Sequence, residues 1–121
     1  MSPRRLTLPN VRAALWTLRA LRIARRELRA GGWESIELPR APRLPDSAER
    51  AVEAVLRRAG ATCLPRAVVR QAWFVGQGSH RDIVVGVTAP TSGFEAHAWL
   101  AGEPPCHPEV YKELLRRSAK V

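Results

Sequence analysis

An α+β fold is predicted by the order in which the chain's hydrophobic periods change. Helical spacing runs through the first segments, then a short unbroken apolar run and an alternating run follow, and a helical stretch closes the chain. The 121 residues fit one domain. A chain of this size buries roughly two-thirds of its unfolded surface, enough for one core. Apolar residues at 45% and charged residues at 26% are ordinary globular usage and argue against a disordered chain.

Residues 10–30 (NVRAALWTLRALRIARRELRA) read as the first helix, with Asn10 as its cap and Gly31–Gly32 as its stop. At about 100° per residue, Arg12, Arg19, Arg22, Arg26 and Arg29 fall on one side. Trp16, Ala20, Ile23, Ala24 and Leu28 fall on the other. Leu15 and Leu18 lie on the basic side and offer a second contact surface. Residues 33–45 (WESIELPRAPRLP) contain Pro39, Pro42 and Pro45 and keep no period, as a surface connector does. Asp46 or Ser47 opens a second helix, with Ala48, Ala51, Val52, Val55, Leu56 and Ala59 on one face and Gly60 at its end.

Thr62 is suited to cap a third helix, which places Cys63 in its first turn and Pro65 where a missing N–H costs little. Ala67, Val68, Val69, Ala72, Trp73 and Phe74 make that helix strongly apolar, and Gly76 or Gly78 ends it. Residues 83–87 (IVVGV) read as a buried strand. Residues 94–100 (FEAHAWL) alternate, as the second strand of an antiparallel pair would: Glu95, His97 and Trp99 face one way, and Phe94, Ala96, Ala98 and Leu100 face the other. A proline-rich turn region spans Gly102–Pro108, and Glu109–Arg117 reads as a short final helix. Within a single domain, residues 1–45 are the basic helix and its Pro-rich connector, and residues 46–121 are the core expected to carry chemistry.

The net charge is +9, and residues 1–30 hold eight arginines against one acid, Glu27. Such asymmetry points to an acidic partner or to the solvated face of an amphipathic helix. Zinc-finger spacing, an aromatic RNA-binding motif and a Gly-rich KH loop are all missing, so no nucleic-acid partner is expected. No apolar run approaches the roughly 18 residues of a membrane span. The N-terminal stretch lacks the apolar core and cleavage site of a secretory signal, which makes a reduced, cytoplasmic chain the expectation. Two cysteines, Cys63 and Cys106, are too few for a disulfide scaffold.

Cys63 and His97 are the residues expected to carry chemistry. The first turn of a helix favours the nucleophilic thiolate over the thiol, and its outward-pointing N–H groups can hold an oxyanion. A nucleophilic cysteine also needs an imidazole held beside it, and His97 sits mid-strand in a run that must pack on this helix. The blander reading makes Cys63 a small buried hydrophobe and His97 a hydrogen-bonded structural residue. Cys106 beside His107 invites a metal site with Cys63 and His97, but no ligand pair stands at metal spacing, and neither metal nor cofactor is expected.

The blocks ATCLPRAVVRQAWFVGQ, DIVVGV and GFEAHAWL, in that order over residues 61–100, resemble the bacterial lasso-peptide leader peptidases. These are transglutaminase-like cysteine proteases related to the C-terminal part of the microcin J25-processing protein. The resemblance implies a small transglutaminase-like or papain-like fold, with Cys63 as nucleophile and His97 as general base, that frees a core peptide from its leader. It implies as partners a leader–core precursor peptide, a separate leader-recognition protein and a lasso cyclase. At this length the chain resembles the split form, in which recognition is left to another protein. The family places an aspartate about a dozen positions after the histidine. Here Asp46 and Asp82 both precede His97; aligning Gly102 with the glycine that follows this strand in the family puts His107 at the aspartate position, with Glu109 and then Glu103 as alternative orienting acids. The missing aspartate keeps open a second reading, a weak or inactive scaffold of the same fold.

Overall fold

Thr7, and not Asn10, caps the first helix. Its Oγ1 accepts from the Asn10 N–H at 3.3 Å, and helix α1 runs Leu8–Arg29. Pro9 explains the shift: its fixed φ and absent N–H suit the first helical turn, so the helix starts ahead of Asn10. In the computed structural model, residues 7–31, 36–87, 96–103 and 112–117 are described. After α1 come a 3-10 turn (Asp46–Ala48), α2 (Glu49–Arg58), α3 (Cys63–Gly76), β1 (Ile83–Val87), β2 (Ala96–Leu100) and β3 (Lys112–Arg117).

One hydrophobic cluster joins these elements. Ala13, Trp16, Ala20, Leu21 and Ala24 of α1 pack with Val52 and Leu56 of α2, and with Val68, Val69 and Trp73 of α3. Trp16 and Trp73 meet with ring centroids 5.8 Å apart, tilted by 48°. Ile83 and Leu100 close the cluster from the sheet side. Two buried polar side chains are each satisfied: the Thr17 hydroxyl donates to the Ala13 carbonyl, and Gln71 Nε2 donates to the Arg81 carbonyl.

Residues 36–45 form no regular element, as expected, yet they are tightly held. Trp16 Nε1 donates to the Pro39 carbonyl at 3.0 Å. Gln77 accepts from the Leu44 N–H at 3.0 Å and donates to the Pro42 carbonyl at 2.8 Å. Ile36 and Ala41 are buried. The connector therefore supplies part of the core's wall, and Gly76 is the residue that lets it approach.

The sheet has strand order β2-β1-β3, with both pairings antiparallel. Its third strand corrects the expected final helix (Glu109–Arg117) over Lys112–Arg117; residues 109–111 lie outside the described residues. Lys112–Arg117 (KELLRR) is rich in good helix formers, but helix preference differs among ordinary residues by only a few tenths of a kcal/mol. The apolar strand β1 needs a hydrogen-bonding partner along both edges, and β2 covers only one. Pairing with β1 thus outweighs local preference. The register slips between Val85 and Gly86, which pair with Leu115 and Glu113 and pass over Leu114.

Gly76→Ala tests the connector's approach. A Cβ at Gly76 would lie 2.6 Å from the Ala41 carbonyl oxygen and 2.7 Å from the Ala41 Cβ. We expect a loss of about 1–3 kcal/mol in stability, read as a lower urea midpoint with an unchanged slope.

Candidate active site

The start of α3 is built as its sequence anticipates, with one difference. Thr62 occupies the N-cap position in an extended conformation, and its backbone oxygen accepts from Arg66 N at 3.0 Å. Its hydroxyl makes no capping bond. A capping hydroxyl accepts from the second or third helical N–H, and Pro65, in third place, has none. Cys63 is the first helical residue and is half-buried, so its thiol stands at the positive end of the helix.

His97 lies on β2, also half-buried. The register sets it opposite Gly86 and sets Trp99 opposite Val84. Directly paired residues of an antiparallel ladder point to the same face. His97 and Trp99 therefore alternate with Ala98 and Leu100, whose face packs into the helical core. Gly86 places no side chain beside the imidazole. Helix α3 packs directly on β2, so Cys63 and His97 are carried by touching elements.

An ion-pair network fixes α3 to its neighbours. Arg70, in the middle of α3, donates through Nη1 to Glu103 Oε1 at 2.7 Å and through Nη2 to Glu103 Oε2. Glu103 stands in the turn that follows β2, its N–H donating to the Leu100 carbonyl at 3.0 Å, so this two-pronged bond ties the helix to the end of the strand that carries His97. Arg70 Nε also lies 2.7 Å from Glu53 Oε2 of α2, without hydrogen-bond geometry, and Arg66 bonds Glu53 Oε1 at 2.9 Å. Arg81 adds a longer contact of 3.8 Å to Glu103, and Phe74 lies under both guanidiniums, 5.6 Å from Arg70 and 4.8 Å from Arg81. The hydrogen bond from Arg70 holds the Glu103 carboxyl below its ordinary range, against a smaller opposing effect of burial. The same bond raises Arg70.

A family model described as the transglutaminase-like superfamily matches residues 6–115. The chain belongs to the transglutaminase-like superfamily. No curated protein and no solved structure matches it. The superfamily includes cysteine peptidases and transferases. In this transglutaminase-like domain the match takes in α1 and the connector as well as the Cys63 and His97 segments.

Of the residues considered for orienting His97, Glu103 is committed on both oxygens to Arg70, which makes it a brace between α3 and β2. His107 and Glu109 lie outside the described residues, as do Glu95 and Cys106. His80 is an exposed loop residue, and Trp73 is buried core. Phe74 is half-buried, packed against the core on one side and lying under the two guanidiniums on the other. Arg70 is the residue that sequence reasoning missed. Its signal was an arginine one turn after Arg66 in an otherwise apolar helix. Among the described residues, no group of three or more His, Cys, Asp or Glu side chains could hold a metal ion. No described helix is long and apolar enough to cross a membrane.

The Arg70–Glu103 brace has a pH signature. Because the carboxyl is lowered in the folded protein, its contribution is present above the unfolded glutamate value of about 4.3 and fades as pH falls through the lower folded value. Glu103→Gln is expected to unfold at lower urea at pH 7 and to show a shallower loss of stability below about pH 4.5. Arg70→Ala is expected to destabilise more than Arg66→Ala, since the Arg70 side chain is 14% exposed and the Arg66 side chain 52%.

Proposed function

We propose that the chain is a cysteine peptidase that removes the leader from a ribosomally made lasso-peptide precursor. The observation that carries this reading is Cys63 at the first position of α3, packed on the strand that bears His97, in a member of the transglutaminase-like superfamily. The CLPRA and FEAHAW blocks support the finer assignment.

In this reading the Cys63 thiolate attacks the scissile carbonyl, and the outward N–H groups at the start of α3 stabilise the resulting oxyanion. His97 takes the thiol proton and returns it to the departing amine as the C–N bond breaks, leaving a thioester on Cys63. Water then attacks the thioester, with His97 as base, and the carboxylate product and free thiol are released. His107 is the first choice for holding the His97 ring and Glu109 the second. The precursor is presented by a separate leader-recognition protein, a lasso cyclase acts on the released amine, and the reaction runs in the cytoplasm without metal or cofactor.

A second reading, a weak or inactive scaffold in the same pathway, is favoured by one observation: no aspartate follows His97. One experiment separates the two. The chain is incubated with precursor peptide and the recognition protein, and products are weighed by mass spectrometry. Hydrolysis adds the mass of water, and transfer would add an acceptor. Cys63→Ala and His97→Ala should each lower the cleavage rate by on the order of 10⁴-fold or more. Cleavage undiminished in Cys63→Ala removes the peptidase assignment, and binding without any cleavage by the unaltered chain selects the scaffold.

A further inference from the structure

The outward face of α1 carries side chains that the fold does not use. Leu8 is 71% exposed, Val11 37%, Leu15 62% and Leu18 49%. Their spacing of three, four and three residues is that of a helix–helix seam, and the ridge extends about 15 Å. Beyond Leu18 the same ridge continues as Arg22 and Arg26, both exposed. Arg12 and Arg19, also exposed, run along one flank. Among the described residues none of these four arginines forms a salt bridge. The single acid of α1, Glu27, lies off this face.

We propose that this ridge docks an acidic amphipathic helix of a partner protein. Four exposed apolar side chains in a seam register call for a helix with its own apolar stripe. Charge decides what surrounds that stripe. A second copy of this chain laid antiparallel would set Arg12 and Arg19 against Arg19 and Arg12 of the copy, and a parallel copy would stack Arg22 and Arg26 on themselves. A helix bearing Glu or Asp beside its apolar stripe neutralises all four guanidiniums. A membrane surface fits less well, because an interfacial helix keeps its apolar band along its length, whereas this ridge turns from apolar to basic halfway. The proposal stands on α1 alone and does not depend on the chemistry of Cys63.

The test uses the full chain and a fluorescein-labelled synthetic helix with Leu at heptad positions a and d and Glu at e and g. A matched peptide carries Lys in place of Glu. Anisotropy is expected to show saturable binding of the Glu peptide that weakens with added salt, and no comparable binding of the Lys peptide. Leu15→Asp with Leu18→Asp should weaken the Glu peptide at least about tenfold, while thermal unfolding stays close to that of the unaltered chain because both side chains are exposed. Arg22→Glu with Arg26→Glu should shift preference toward the Lys peptide. The proposal is overturned if neither double variant changes peptide binding, or if both peptides bind alike. It is equally overturned if sedimentation shows a dimer that Leu15→Asp with Leu18→Asp dissolves. Binding of the chain to phosphatidylglycerol vesicles but not to the Glu peptide would assign the ridge to a membrane instead.

Discussion

Burial of α3 on several sides at once is the constraint on which the rest of the molecule depends. Trp73 is buried against Trp16 of α1, within a cluster that Ile83 and Leu100 of the sheet also join. Fully burying such an aromatic side chain contributes roughly 1.5–3 kcal/mol or more, and leaving its place empty would cost more still. The connector is drawn in by the same requirement. Gly76 lets its backbone come close, and Gln77 and Trp16 satisfy the carbonyls and N–H it brings with it. With α3 held this way, the position of its first residue, Cys63, is settled by packing far from the thiol itself.

Electrostatics complete what packing begins. A guanidinium at Arg70 is partly desolvated and would be costly unpaired, so Glu53 and Glu103 converge on it from α2 and from the end of β2. The bidentate geometry matters more than the charge, because two parallel hydrogen bonds fix direction as well as distance. The consequence is a register between the helix that starts at Cys63 and the strand that carries His97. For the proposed peptidase, in which Cys63 and His97 would act together, such a brace matters, since a displacement of about 1 Å between reacting groups is enough to cost much of the rate.

Much of the fold was legible because its signals are local. Period and terminator residues marked α1, α2, α3 and β1, and the alternation in residues 96–100 separated the core-facing Ala98 and Leu100 from His97 and Trp99. The failures have a common cause. KELLRR reads as a helix by composition and becomes a strand because β1 has an open edge, a fact about a distant segment. Asn10 looks like the cap until Pro9 is weighed as a first-turn residue. Thr62 stands where a cap should, but Pro65 deprives it of one of its donors. Arg70 and Glu103 are 33 positions apart, and nothing local joins them.

The sequence alone determined the α+β class, the placing of Cys63 at a helix start and of His97 in a strand, and the concentration of arginine on the first helix, since each follows from neighbouring residues. Tertiary structure decided which strands pair, that α3 lies on β2, that Glu103 braces Arg70, and that Leu8, Val11, Leu15 and Leu18 are left facing outward. Those outcomes depend on competition among distant segments for the same core and the same hydrogen bonds, and the winner is set by the burial of the whole chain rather than by any stretch of it.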